Sequence, residues 1–358
     1  MDLGFTVLTN IEDWKLAKEA EDVGFDSVWF PDSQMIWSDC YSTMALAAQA
    51  TSKVRLGTGV SIPGTRIAPV TAQSIAGINQ LAPGRVFLGL GTGNTAMRVM
   101  GMKPMLLKDF EEYLRVLKAL LKGEEVDFTF NGVTKSIQFL HQDLGFYNLE
   151  DTVPVYVAAN GPKALRLAGK YGDGLISAAA EKPEEVAFSL GMVQEGADSI
   201  GRTLPDTYRK MCISNALVLE AGEKLTDDRV IDQVGAWTNN ILHFVYEIYA
   251  LGGDEEMVPD YMRGIWDEYH DFVEKMETPK EKRYREMHNG HCTFLRPEER
   301  RFVTPELIRG SLIVGSVDEV VEQILAAESA GLDEITLLPS LEHSRIAMKE
   351  FAQVLKKL

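Results

Sequence analysis

Cysteine is scarce in this chain, and its three copies, Cys40, Cys212 and Cys292, lie far apart. Without paired spacings they form neither a disulfide framework nor a thiolate metal site, so reduced thiols in a cytoplasmic protein are the expectation. Basic charge is in deficit as well. Lys and Arg number 36 against 53 Asp and Glu, a net −17, which argues against nucleic acid or an anionic membrane as partner. No basic start followed by an apolar segment is present, and no apolar run is long enough to cross a bilayer.

What the 358 residues do contain, at 45% hydrophobic and 25% charged, is enough apolar material for a full globular core. Short β-branched runs alternate with helical patterns almost from the start. Leu3 to Leu8, Ser27 to Phe30, Val54 to Val60, Val86 to Leu90, Val155 to Ala159, Gly174 to Ser177, Met211 to Leu219 and Glu334 to Leu338 read as strands one to eight. Helical patterns separate them, at Trp14 to Val23, Tyr41 to Thr51, Thr71 to Leu81, Leu107 to Lys122, Pro162 to Tyr171, Pro183 to Ile200 and Val317 to Ala330, with a last one at Ser344 to Leu355. Asn131-Gly132 marks a hairpin turn. Eight strands each running into helical sequence predict an α/β fold, a (β/α)8 TIM barrel, with residues 1–358 as a single domain. Residues 227–309 exceed one crossover and are predicted to be a helical insertion between strands seven and eight. It either caps the carboxyl face of the barrel or packs on its side as an interface.

Ligand-contacting residues of such a barrel sit at the carboxyl ends of its strands. Here strand two ends in Asp32-Ser33, strand three runs through Gly59, Val60 and Ser61, and strand four ends in Gly89, Gly91, Thr92 and Gly93. Strand five ends in Ala158, Ala159, Asn160 and Gly161. Such small residues suit a flat, wide ligand lying against backbone. The glycine loop is not a dinucleotide fingerprint, since Asn94 stands where that spacing wants glycine or alanine. No carboxylate pair, GxSxG elbow or metal-ligand cluster occurs at these ends, which argues against hydrolase and zinc readings, and no metal is expected. Replacing Gly93 by Val is expected to fill the pocket and leave the fold intact.

Four collinear segments, AEDVGFDSVWFPD, LGTGVSIPGTR, GRVFLGLGTGN and PVYVAANGPKALRLAGKYGDGLI, together with LIVGSVDEVVEQILAAESAGLDEITLLP near the end, resemble the bacterial luciferase-like superfamily. They are most similar to its methylenetetrahydromethanopterin reductase-like branch of coenzyme F420 enzymes. The resemblance implies a reduced deazaflavin or flavin held at the barrel mouth and a non-prolyl cis peptide, which aligns with Gly59-Val60. It implies cofactor contacts from Asp32, Gly59, Val60, Ser61, Thr92, Gly93 and Ala158 to Gly161.

The departures are informative. Thr6 stands where methanopterin-reducing relatives carry an acid, Ser33 where many deazaflavin enzymes have a histidine, and Asn94 where sugar-phosphate dehydrogenases have a glutamate. Asp32, Ser33 and Asn94 are thus the positions the resemblance assigns to catalysis, with the usual acid–base chemistry absent from the last two. Thr6, Trp37, His288 and His291 are candidates for the substrate pocket. Trp37 either closes that pocket or packs as a surface aromatic, and the two histidines either reach the mouth or are solvated. Trp237, His243, Tyr246 and Trp266 add aromatic and polar reach to the insertion.

The resulting expectation is an oxidoreductase passing hydride between coenzyme F420 and a small-molecule substrate. An FMN-dependent monooxygenase served by a separate flavin reductase is the alternative, and a non-catalytic flavin-binding protein is another. Arg66, Lys163, Arg166 and Lys170 would serve either cofactor's anionic tail, and a homodimer or larger homo-oligomer is expected.

Overall fold

Short apolar strands separated by amphipathic helices bury both faces of each strand in a parallel sheet, and eight of them can close that sheet on itself. The computed structural model describes residues 1–358 and contains twelve strands. In chain order they are β1 (Asp2–Thr6), β2 (Ser27–Phe30), β3 (Arg55–Ser61), β4 (Val86–Leu90), β5 (Val126–Phe130), β6 (Val133–Ile137), β7 (Val155–Ala158), β8 (Gly174–Ala178), β9 (Arg209–Ser214), β10 (Ala216–Val218), β11 (Ile313–Gly315) and β12 (Glu334–Leu337). Eight of them close a barrel in the order β1-β12-β9-β8-β7-β4-β3-β2, every pairing parallel. This is the (β/α)8 barrel expected from the alternating pattern.

The amino end of the barrel is sealed. Glu334, whose side chain is fully buried, accepts hydrogen bonds from Trp29 Nε1 at 2.9 Å, Arg55 Nη2 at 2.8 Å and Arg209 Nη2 at 3.1 Å. Above it Trp29, Phe87, Tyr156, Ile176 and Met211 fill the interior. Gly57 makes room for them, since a Cβ there would stand 2.2 Å from the Phe87 ring. With one end plugged, only the carboxyl end is free to receive a ligand.

Helix starts follow local chemistry. The helix expected from Thr71 begins at Ala68, because Pro69 fits the first turn, where its missing N–H costs nothing. Asn131 and Gly132 both take positive φ, 51° and 77°, and turn β5 into antiparallel β6.

Strand seven departs from its expected extent. Met211 to Leu219 reads as one strand, but the chain breaks at Asn215, where β9 stays in the barrel and β10 leaves it to pair with β11 in parallel. Periodicity carries no record of a partner so distant in sequence.

Between β10 and β11 the insertion is helical, with helices at Asp228–Ala250, Arg263–Glu274, Arg283–Met287 and Pro305–Ser311 joined by short 3-10 turns. It has an apolar core separate from the barrel's, in which Tyr269 packs edge-on against Phe302 at 5.2 Å. No helix is long and apolar enough to cross a membrane.

Candidate active site

A cavity of about 520 Å³ lies between the carboxyl ends of the strands and the insertion. Its barrel side combines small residues and backbone, Gly59 and Val60, Gly91 to Gly93, and Ala158 to Asn160, with the side chains of Ile62, Ile176, Ile213 and Leu338. Gly59-Val60 is a cis peptide. A Cβ on Gly91 would stand 3.0 Å from Val60 Cγ2 and 3.3 Å from Ala158 Cβ, so glycine keeps this wall flat. Such a cradle suits the face of a fused planar ring system. The opposite wall comes from the insertion and includes Trp237, Ile241, Phe244 and Ile248 from the long helix Asp228–Ala250. No lysine or arginine lines the cavity.

Asp32 sits at one edge, 4% exposed, and its carboxylate is saturated from within the chain. Ser61 Oγ donates to Oδ2 at 2.7 Å, Arg66 Nη1 to the same oxygen at 2.6 Å, and Gln34 Nε2 to Oδ1 at 2.5 Å. Burial works against the Arg66 charge, yet Asp32 outweighs it and raises the guanidinium pKa further. Arg66 also pairs with Asp39 and stacks 4.8 Å over the Tyr41 ring. It is therefore committed to the barrel rim and not free for an anionic tail. Arg166 is likewise paired with Glu195 at 2.8 Å.

The insertion brings three histidines to the cavity. His243 Nε2 lies 2.9 Å from Glu299 Oε1, and Arg296 Nη2 reaches the same oxygen at 2.5 Å. His288 Nε2 lies 2.9 Å from Glu247 Oε1. Arg98 Nε, 3.5 Å from Glu247 Oε2, also donates to Asn94 Oδ1 at 2.8 Å, linking the insertion to the glycine loop. The Nδ1 atoms of His243, His288 and His291 are all buried without a partner. Burial, with His288 and His243 adding to it, pushes His291 well below the usual histidine range and keeps it neutral. Its ring centroid lies 5.8 Å from that of Trp37, whose Nε1 donates to Thr293 Oγ1 at 3.0 Å and ties the loop after β2 to the insertion. Burial also holds Tyr261 and Cys292 protonated, each pushed up to about 12.

Of the residues singled out from the sequence, Asp32, Ser33, Gly59, Val60, Thr92, Gly93, Asn94, Ala158, Ala159, Asn160, Trp37, His288 and His291 line this one cavity. Ser61, Gly161 and Thr6 do not. Ser61 lies behind Asp32 and receives a hydrogen bond from Tyr41 OH at 2.8 Å. Gly161 caps the helix Pro162–Tyr171. Thr6 is buried with its hydroxyl 3.4 Å from that of Thr336. Asn160 contributes through its backbone, because its amide is spent on Ala178 N and O. Tyr246 and Trp266 belong to the core of the insertion.

The reading missed Glu247, Asn240 and Tyr261 on the far wall. A signal for Glu247 exists: it follows His243 by four residues and so shares its helix face.

A sequence model of the family described as luciferase-like monooxygenase matches residues 12–334. The chain is 40% identical over 188 residues to 5,10-methylenetetrahydromethanopterin reductase of Methanolobus tindarius, covering 52% of this chain and 55% of that protein. To the F420-dependent glucose-6-phosphate dehydrogenase of Beutenbergia cavernae it is 38% identical over 206 residues, 52% of this chain and 58% of that one. The chain thus spans little more than half the length of these curated relatives. Among solved structures, coenzyme F420-dependent tetrahydromethanopterin reductase from Methanopyrus kandleri superposes with a TM-score of 0.73 over 99% of both chains at 21% identity, a likeness of fold.

Proposed function

Because the chain belongs to the luciferase-like monooxygenase family, we propose that it is a coenzyme F420-dependent oxidoreductase that moves a hydride to or from a small organic substrate. The observation that carries this reading is the flat wall of Gly59, Val60, Gly91 and Ala158 facing an apolar roof across one cavity. That wall fits a planar tricyclic ring, and Gly91 keeps it flat, since a Cβ there would crowd Val60 and Ala158. When bound, the deazaflavin supplies a ring carbon that accepts or gives a hydride.

The chain's own residues do the rest. Val60, Gly91 and Ala158 would support the ring, with Thr92, Gly93 and Asn160 along the same wall. Asp32, held by Ser61, Gln34 and Arg66, fixes the rim of the cavity. In this reading residues 1–358 are a single catalytic domain, and 227–309 its lid, which excludes water from the reduced cofactor and shapes the substrate pocket. The relatives named above for F420 support the choice of cofactor.

Titrating the protein with oxidised coenzyme F420 and, separately, with FMN tests the assignment. F420 binding with a spectral change, and no oxygen uptake on reduction, is the expected result. Tight FMN binding with oxygen consumption overturns it.

A further inference from the structure

Removing a hydride from a carbon that bears a hydroxyl leaves the oxygen with a proton to lose, and the reverse reaction must supply one. The strand ends provide no group for it. Ser33, Thr92 and Asn94 exchange no proton near neutral pH, and Asp32 already accepts from Ser61, Gln34 and Arg66. Elsewhere on the cavity wall, Tyr261 and Cys292 keep their protons. His243 is clamped to Glu299 Oε1, the very oxygen that Arg296 holds at 2.5 Å, whereas Arg98 stands off at 3.5 Å from the other oxygen of Glu247. His291 has no carboxylate beside it to stabilise a charged ring. What remains is His288 with Glu247.

We propose that His288, held by Glu247, carries the proton of the hydride-transfer reaction, and that the substrate is an uncharged alcohol or carbonyl compound. This rests on the hydride-transfer reading above. With Nε2–H directed at Glu247 Oε1, 2.9 Å away, the acceptor left on the ring is Nδ1, and that atom is buried without a partner. An orphaned buried acceptor costs free energy until a donor arrives, and a substrate hydroxyl is such a donor. Glu247 is positioned from the barrel side by Arg98, which Asn94 holds in turn, so the pair is fixed relative to the glycine loop.

The step balances. In the oxidative direction the carbinol C–H bond breaks, its hydrogen and two electrons pass to the oxidised deazaflavin, and the O–H proton passes to His288 Nδ1. The imidazolium formed is stabilised by Glu247 and later releases its proton to solvent. In the reductive direction the carbonyl carbon takes the hydride while His288 protonates the oxygen.

The lack of a free cation selects the substrate. Arg66 and Arg98 are engaged by Asp32 and Glu247, and no lysine or arginine lines the cavity, so a phosphate or carboxylate would enter with no unpaired cation to meet it. Trp237, Ile241, Phe244 and Ile248 offer apolar contact instead.

The test uses the full chain with isotopically labelled histidine, loaded with oxidised F420, and a His288→Asn variant to assign the His288 ring nitrogens by NMR. Isopropanol, cyclohexanol and glucose 6-phosphate are titrated in turn. The His288 ring signals are expected to move with the alcohols and to stay still with the sugar phosphate, and Glu247→Gln is expected to change the resting His288 tautomer. His288→Ala should lower alcohol oxidation by about 100-fold or more, leave F420 affinity unchanged, and regain turnover when free imidazole is added. A His288 ring silent to both alcohols, a response to glucose 6-phosphate alone, or full turnover by His288→Ala each overturns the proposal. A chain that takes up no F420 overturns the hydride-transfer reading and this one with it, whereas uptake with a silent His288 overturns only this one.

Discussion

Asp32 and Arg66 form a nearly buried ion pair at the rim of the cavity, with Nη1 and Oδ2 2.6 Å apart and side chains 3% and 17% exposed. Taking away only the cation strands a carboxylate out of water, which is worse than never having buried the pair. Arg66→Ala is therefore expected to lower stability by about 3 kcal/mol, measured by urea unfolding. Arg66→Lys should recover only part of it, because one ammonium cannot reproduce the fork that serves both Asp32 and Asp39.

Gly91 is the sharpest probe of the flat wall. A valine there crowds Val60 and Ala158, which line the cavity beside it, so F420 affinity is expected to fall at least about tenfold, about 1.4 kcal/mol, with the far-UV circular dichroism unchanged. Gly93 gives no such clean answer. Its φ is +87° and a Cβ would stand 2.8 Å from Met97 Cγ, so Gly93→Val strains the backbone, contrary to the expectation from sequence that the fold would tolerate it.

Glu299 should make the insertion acid-sensitive. Burial alone would raise its carboxyl, but His243 and Arg296 outweigh it and bring it from 4.5 down to about 2. A folded-state value below the unfolded one contributes stability that is present in full above pH 4.5 and is lost as pH falls through about 2. Wild type should exceed Glu299→Gln by about 3 kcal/mol near neutral pH. Urea titrations should show that gap closing as the pH is lowered through this window.

Glu181 works in the opposite sense. Burial raises it from 4.5 to about 7, beside Cys212, whose Sγ lies 3.9 Å from Oε2. Here the folded protein holds the proton more tightly than the unfolded chain, so stability falls as pH rises from 4.5 to about 7. Glu181→Gln should therefore be more stable than wild type by about 2 kcal/mol at about pH 8 and equal to it in acid, again by urea unfolding.

The barrel was legible because its strands and helices obey local rules. Ser27–Phe30, Val86–Leu90 and Pro162–Tyr171 are seen with the bounds expected of them, each bracketed by turn or capping residues. The glycine-and-alanine strand ends pointed to the barrel side of the cavity for a similar reason, since the fold itself says where a strand's last residues go. The lid side was harder. His288, Glu247 and Arg98 meet from three separate segments, and only tertiary packing brings them together. Asp32 and Arg66 were both noticed, yet nothing in their spacing told that they would neutralise each other.

The pairing of β10 with β11 acts as a clasp: Ala216 to Val218 lies beside Ile313 to Gly315, so the chain leaves the barrel and rejoins it at one place. The segment between is stabilised largely by its own apolar core and is tied back to the barrel loops by Trp37–Thr293 and Arg98–Glu247. The far wall of the cavity is thus carried by a segment that enters and leaves through this clasp, while Gly59, Val60, Gly91 and Ala158 belong to the strands below. Changes within the segment can reshape one wall and leave the other as it is.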